Sequence, residues 1–258
     1  MELNIFNGDC SYNAWRKTDA DSAALVWREN YLEGRIPPPS TPPDEFARIR
    51  AQELHAMMPE LDENKIFASL LSMNATLATL SAGDSAILWF DACMYDQTML
   101  ARIFFLLNNT PASVFLICED IGEHPEIIAK QRDSAQRLTP EDIALYASAW
   151  EAIAGGFEVL EQFSPGNRFP FLTKALARYL EECPDTNGLS KSERQLIEIV
   201  NSGKQNPREI FREFNAREEY PFMGDTTCFQ LLEKLAKAGH ISTHKNTYLP
   251  PLGGVANR

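Results

Sequence analysis

Cysteine and histidine are scarce in this sequence, and the cysteines form no recognisable motif. The 258 residues include five cysteines and four histidines, and no two cysteines are arranged as C-x-x-C. An odd number of widely spaced cysteines does not suggest a disulfide framework. We therefore expect free thiols in a reducing, cytoplasmic setting.

Long apolar runs and glycine-rich nucleotide loops are also absent. No run approaches the length that is needed to span a bilayer, and Met1 to Ile5 contain no basic segment of the kind that opens a signal peptide. We therefore expect a cytoplasmic protein without membrane contact. No dinucleotide or nucleoside-triphosphate loop motif is present, so the sequence indicates no cofactor.

Basic residues are fewer than acidic residues in this chain. The chain has 24 Lys and Arg residues against 36 Asp and Glu residues, which gives a formal net charge of −12. This balance opposes non-specific attraction to nucleic-acid phosphates or anionic membranes. The hydrophobic share of 44% is ordinary for a globular protein, and the length suffices for one large or two modest domains.

Four short apolar runs alternate with helical patterns in the first half of the chain. We predict strands at Leu3–Phe6, Ala23–Trp27, Ala86–Phe90 and Ser113–Cys118. The third run is apolar throughout, which is typical of a strand that is covered on both faces. This alternation indicates the α/β fold class, with a layered N-terminal domain and a mostly parallel sheet of about four strands. The polar stretch 123–137 is expected to be irregular or partly helical.

Proline and polar capping residues indicate where the helices begin. Five prolines among residues 37–43 predict an extended surface connection. Thr41 and Pro42 are expected to be the cap and the first residue of the next helix. Asp62 can cap the helix after that one, and Thr139 precedes another strong helix start.

The chain changes character after about Gly166. We predict an α/β domain over residues 1–166 and a mostly helical domain over residues 167–258. Ser190 opens a helix with a capping box, and Asp225 can cap a later helix that is followed by a short hairpin. Three helices and a hairpin resemble a winged helix-turn-helix.

The charges of this winged-helix-like part do not single out DNA as its partner. Its lysines and arginines are interleaved with glutamates. A helix that reads DNA normally offers basic and amide side chains at its N-terminal end, and the third helix here begins with the sequence from Asp225 to Gln230. Contact with a protein partner is therefore expected at least as much as contact with DNA.

Polar and charged residues follow each predicted strand, including Glu119 and Asp120 after the fourth. Because the carboxyl ends of parallel strands meet at one sheet edge, where open α/β sheets bind ligands, we expect the residues after the first three strands to lie together. Asp96 precedes Leu100 and Ile103 by four and seven residues, so it should share their buried helix face. The candidate ligand-binding residues are Asn7, Gly8, Asp9, Arg28, Glu29, Asp91, Asp96 and Gln97.

Several of these residues also have a structural interpretation. Asp91 can cap the helix that follows it. Asp96 can pair with Arg28 or Arg102 in a structural bridge. Glu29 can be a solvated surface residue. The sequence leaves these alternatives open beside the ligand site.

Short motifs across nearly the whole chain resemble one known family. They lie, in the order of that family, at Asn7–Cys10, Val26–Glu29 with Gly34, Leu88–Phe90 with Tyr95–Gln97, Phe169–Phe171, Asn187–Ser190, Glu193–Gln195 and Pro221–Asp225. The family is a group of bacterial proteins of unknown function, of the domain of unknown function 1835 type. The resemblance implies an N-terminal α/β domain joined to a C-terminal helical domain, and it implies no activity.

The chain departs from this family at three places. Cys10 stands where the family more often has Ser, and Glu29 stands where Asp is common. Before Tyr95 the family often has an acid-His-Asp sequence, whereas this chain has Asp91-Ala92-Cys93. If the histidine or aspartate is catalytic in the family, this chain lacks it, which makes an enzyme less expected. The ligand-binding group then centres on Arg28, Asp96 and Gln97.

Three functions are consistent with the sequence. The first is a cytoplasmic ligand-binding or regulatory protein that holds a small polar or phosphorylated ligand, with the turn Asn7–Asp9 offering backbone N–H groups to an anion. Its winged-helix-like module would contact a partner or DNA. The second is a metal-dependent phosphoesterase or nuclease whose clustered carboxylates, Asp9, Glu29, Asp91 and Asp96, hold Mg²⁺ or Mn²⁺. The third is a structural interaction protein without a ligand.

Overall fold

A computed structural model describes residues 1–19, 21–118, 125–220, 223–245 and 247–251. The acids predicted to follow the fourth strand, Glu119 and Asp120, lie outside these ranges, as does the start of the last family motif, Pro221 and Phe222. The chain divides into two compact units, Met1–Ala175 and Leu176–Arg258. No helix within the described ranges is both long and apolar enough to cross a membrane.

The first unit is built on a five-stranded sheet. Its strands are β1 (Glu2–Phe6), β2 (Ala23–Val26), β3 (Ser85–Phe90), β4 (Ser113–Cys118) and β5 (Gln136–Arg137). Their order is β2-β1-β3-β4-β5; the first four run parallel, and β5 pairs antiparallel with β4. The prediction of an α/β fold with a mostly parallel sheet is therefore confirmed.

The polar stretch before residue 138 is partly helical, as predicted, and it also contains the edge strand β5, which was not predicted. That stretch contains a helix, a short 3₁₀ turn and a strand of only two residues, both exposed. Two residues are too few to display the alternation of apolar and polar residues that indicates a strand. Pairing with β4 makes this segment a strand.

Helices lie between and after the strands. They are α1 (Asp9–Arg16), α2 (Pro43–Met57), α3 (Glu63–Ala78), α4 (Met94–Leu107), α5 (Pro125–Gln131), α6 (Pro140–Ala154), α7 (Phe157–Gln162) and α8 (Pro170–Leu180). Asp62 caps α3 by accepting a hydrogen bond from the Lys65 backbone N–H at 2.9 Å, and Thr139 forms a capping box at the start of α6. The predicted cap Asp62 and the predicted helix start after Thr139 are confirmed. The cap of α2 is Pro42 rather than Thr41, so that helix begins one residue later than predicted.

The central strands carry the core of this unit. Ile5 and Phe6 of β1 and Leu88 to Phe90 of β3 have no exposed surface. Helix α4 packs against α6 behind them, and nearly every residue of α4 is buried. Burial on both faces explains why the third predicted strand is apolar throughout.

The second unit contains α9 (Lys191–Asn201), α10 (Pro207–Ala216) and α11 (Asp225–Lys237), followed by the antiparallel hairpin of β6 (Ser242–His244) and β7 (Thr247–Leu249). Ser190 forms the predicted capping box of α9. Helix α11 is capped by Gly224 without a side-chain bond, so Asp225 is its first residue and not its cap. The order of three helices and a hairpin agrees with the expectation, while the winged helix itself stays a prediction. The division within α8 lies after the predicted boundary near Gly166.

Candidate functional site

The ends of the three neighbouring strands β2, β1 and β3 meet at one edge of the sheet, as predicted. The backbone N–H of Trp27 donates to the Phe6 carbonyl at 2.8 Å, and the backbone N–H of Asn7 donates to the Trp89 carbonyl at 3.3 Å. The parallel pairing therefore extends past the strand ends. It brings the polar residues that follow β1, β2 and β3 to the same edge, the usual place for a ligand in this class of fold.

Asp96 lies buried at this edge and faces the strand ends. Only 2% of its surface is exposed. Its Oδ2 atom accepts hydrogen bonds from Asn7 Nδ2 at 2.6 Å and from the backbone N–H of Asp91 at 2.5 Å. Asn7 Nδ2 also lies 3.5 Å from Asp91 Oδ2, so one amide group contacts both carboxyl groups. The inward orientation predicted from the helix periodicity is confirmed.

The predicted ion pairs of Asp96 are wrong. Arg28 binds Asp9 instead. The guanidinium of Arg102 lies over the ring of Phe46, with its central carbon 3.9 Å from the ring centroid. The carboxyl group of Asp96 therefore accepts from a neutral amide and a backbone N–H, and no arginine pairs with it among the described residues.

Burial and like charge make Asp96 a weak acid. Burial is the larger cause and the Asp91 carboxylate the second, and together they raise the pKa of Asp96 from 3.8 to about 8. The hydrogen bonds from Asp91 N–H and Asn7 oppose this shift. At neutral pH the Asp91–Asp96 pair therefore holds a proton in the folded protein.

Asp91 is not the cap of the following helix. Helix α4 is capped by Cys93, whose backbone is extended and whose Sγ atom accepts from the Asp96 backbone N–H at 3.5 Å. A thiol is an uncommon cap, so the sequence pattern favoured the carboxylate two residues earlier. The Asp91 side chain instead lies beside Asn7.

Glu29 is a buried structural residue, which corrects the expectation of a solvated side chain. Its carboxylate and the guanidinium of Arg50 have no exposed side-chain surface, and they are joined at 2.8 Å and 3.3 Å. Arg50 also donates to the backbone carbonyls of Asn30, Glu33 and Arg35. The pair therefore holds the loop after β2 against α2.

Gln97 is also held inside the unit. Its Nε2 atom donates to the Asp91 carbonyl at 2.8 Å and lies 3.3 Å from the Cys118 sulfur. Its Oε1 atom accepts from the Tyr146 hydroxyl at 3.1 Å. The amide thus joins the ends of β3 and β4 to α6, and its polar atoms are engaged by the protein itself.

A groove of about 490 Å³ opens beside these strand ends. Five of the eight predicted site residues line it, while Asp91, Asp96 and Gln97 do not. The remaining lining residues are Trp27, Leu54, Met58, Leu61, Asp62, Lys65, Ile66, Ser69 and Tyr95. Most of these belong to α2, α3 and the turn between them, which sequence reasoning did not connect with the site. No local pattern of this segment indicates which strand ends it approaches.

Arg28 and Asp9 form the accessible charged pair of this groove. Each side chain is 55% exposed. The Arg28 guanidinium donates two hydrogen bonds to the Asp9 carboxylate, at 2.6 Å and 3.0 Å. The hydrogen bond from Arg28 is the main reason that the pKa of Asp9 is lowered. Within the described residues, no side chain caps the start of α1 at Gly8.

The described residues include no group of three or more His, Cys, Asp and Glu side chains that could hold a metal ion. Two of the carboxylates expected to bind Mg²⁺ or Mn²⁺ have arginine partners, Asp9 with Arg28 and Glu29 with Arg50. The metal-dependent alternative stays an untested prediction.

We predict that Asp96→Asn flattens the dependence of stability on pH. The folded-state pKa of Asp96 lies above its ordinary value, so the folded protein keeps a proton that the unfolded chain loses. This contribution is fully present below pH 4 and is lost as the pH rises through about 8. Urea unfolding measured from pH 5 to pH 8.5 should show falling stability in the natural protein and a smaller slope in Asp96→Asn.

Two further variants make this measurement specific. Asp91→Asn removes the like charge and should move the loss of stability to lower pH. Asp44→Asn, on the exposed surface of α2, should leave the slope unchanged. Parallel curves for the natural protein and Asp96→Asn would contradict a protonated Asp96.

We also predict that Arg50→Met destabilises the fold by about 3–5 kcal/mol, because it leaves the Glu29 carboxylate buried without its partner. Arg48→Met is the matched control on the same helix. Arg48 is exposed and lies over the ring of Phe67, so its loss should cost about 1 kcal/mol or less. Equal losses of unfolding free energy in the two variants would count against a structural role of the buried pair.

Comparison with known proteins leaves the site to be interpreted from its own geometry. No family model, curated protein or solved structure matches the chain. The resemblance to the bacterial family therefore stays a prediction.

Proposed function

We propose that this chain is a ligand-binding or regulatory protein whose first unit holds a small polar or phosphorylated anion in the groove at the carboxyl edge of the sheet. Its five cysteines are widely spaced and form no C-x-x-C pair, which supports the cytoplasmic setting that belongs to this proposal. The anion would lie between Arg28, the start of α1 at Gly8, and Lys65. All three line the groove.

The accessible pair of Arg28 and Asp9 carries this proposal. A guanidinium presents paired N–H donors that match a phosphate or carboxylate. Asp9 occupies those donors in the free protein. Exposed ion pairs contribute only about 0–1 kcal/mol, so an incoming anion can replace the Asp9 carboxylate at small cost.

The surroundings of Arg28 also favour an anion. The uncapped start of α1 offers backbone N–H groups and the positive end of a helix dipole. Lys65, in the first turn of α3, is exposed and also lines the groove. Asp62, another acidic residue of the groove lining, is engaged as the cap of α3.

For the second unit we propose contact with a protein partner rather than DNA. Lys234 pairs with Glu193 at 2.7 Å, and Arg217 pairs with Glu213 at 3.1 Å. These pairs reduce the positive charge that DNA phosphates require. Binding to duplex DNA that weakens steeply with added salt would overturn this part of the proposal.

We expect inorganic phosphate to stabilise the protein against thermal unfolding in a manner that depends on Arg28. Arg28→Gln should weaken phosphate binding by about tenfold or more, because hydrogen bonds to charged groups contribute about 1.5–3 kcal/mol. Asp9→Asn should strengthen binding, because it removes the competing carboxylate. The shift in Tm with phosphate concentration, at constant ionic strength, measures both effects.

Arg35→Gln is the matched control, because Arg35 is exposed in the same loop but does not line the groove. It should respond to phosphate as the natural protein does. An equal response of Arg28→Gln and the natural protein would contradict the proposal. Weaker binding by Asp9→Asn would show that the carboxylate itself contacts the ligand, which would overturn the assignment of an anion.

A further inference from the structure

We infer that the ligand of this groove is an anion carried on an apolar hydrocarbon body, a phosphomonoester or carboxylate with an alkyl or aromatic portion. This inference rests on the proposed anion site at Arg28 and specifies what is attached to the anion. The apolar residues that line the same groove indicate this hydrocarbon body.

Four apolar side chains from one segment of the chain form an apolar wall of the groove. Leu54 lies in the last turn of α2, Met58 directly follows that helix, Leu61 lies in the turn, and Ile66 lies in the first part of α3. Leu61 is 43% exposed, one of the few large apolar side chains with so much free surface among the described residues. An apolar ligand body would remove this surface from water.

Two aromatic residues that the fold holds in place, Trp27 and Tyr95, also line the groove. Trp27 is almost fully buried. The Tyr95 hydroxyl donates to the Glu29 carbonyl at 2.9 Å, which fixes its ring beside the groove. Rigid rings provide apolar contact without a further loss of side-chain freedom on binding.

The size of the groove exceeds what a simple anion needs. Its volume of about 490 Å³ falls in the range of sites that enclose small organic molecules. A site for phosphate alone requires the charged donors but not the apolar wall on α2 and α3. The combination of a charged pair with a long apolar wall complements a molecule that has both properties.

The charged residues of the groove favour an anionic ligand over an uncharged apolar one. Arg28, Lys65 and the start of α1 lie in the same groove as Leu61 and Ile66. An uncharged apolar segment of a protein would cover the exposed Arg28–Asp9 pair and Lys65 without replacing their contacts with water, which is costly. An anionic head group gives Arg28 and Lys65 new hydrogen-bond acceptors, so a small amphipathic anion fits better than a neutral apolar surface.

A homologous series of alkyl phosphates tests this inference. Ethyl, butyl and hexyl phosphate are titrated into the full chain below their micelle-forming concentrations, and binding is measured by calorimetry. Each added CH₂ group should raise the affinity about three- to fourfold while it is buried in the groove. Phenyl phosphate and hexanoate extend the series to an aromatic body and to a carboxylate head.

Leu61→Asn should reduce the gain in affinity per CH₂ group, and Met58→Gln provides a second variant of the same wall. Val159→Asn is the matched control. Val159 is 48% exposed on α7 and does not line the groove. It should leave the series unchanged.

The outcomes separate this inference from the proposed function. If all phosphates bind with equal affinity and Arg28→Gln weakens each of them, the anion site stands and the apolar body is refuted. If hexanol binds as tightly as hexyl phosphate and Arg28→Gln has no effect, both are refuted. If sedimentation shows dimers that Leu61→Asn converts to monomers, the apolar wall is an interface between copies and the inference is overturned.

Discussion

The carboxyl group of Asp96 joins the ends of the two central strands to the start of α4. Its Oδ2 atom takes one hydrogen bond from Asn7, after β1, and one from the backbone N–H of Asp91, after β3. The same residue lies in the first turn of α4. Because this acid is buried beside a second carboxylate, its preferred state at neutral pH is protonated. The shape of the sheet edge thus depends on one weak acid.

The buried pair of Glu29 and Arg50 shapes the other side of this edge. Arg50 binds the Glu29 carboxylate and three carbonyls of the following loop, so the chain after β2 is held against α2. The neighbouring residue Arg28 extends into the groove and meets Asp9. Adjacent charged residues therefore lie in opposite environments, Glu29 buried in the fold and Arg28 exposed in the groove.

Local sequence signals predicted much of the fold. Apolar runs with charged ends located the four parallel strands, and short-range caps such as Asp62, Thr139 and Ser190 located helix starts, because these features depend on residues close in sequence. The edge strand β5 was not predicted, because its two residues become a strand only by pairing with β4. Cys93 was not predicted as a helix cap, because a thiol rarely has that role.

The sequence by itself determined the α/β class, the sheet edge where polar residues gather and the inward face of Asp96, since each follows from the periodicity of a strand or a helix. Only the tertiary structure decided which charged side chains are buried in ion pairs and which are exposed in the groove. Glu29 meets Arg50 across 21 residues of sequence, and the apolar wall around Leu61 approaches the strand ends only when α2 and α3 pack. Ion-pair partners and groove walls depend on contacts between distant segments, which no local pattern encodes.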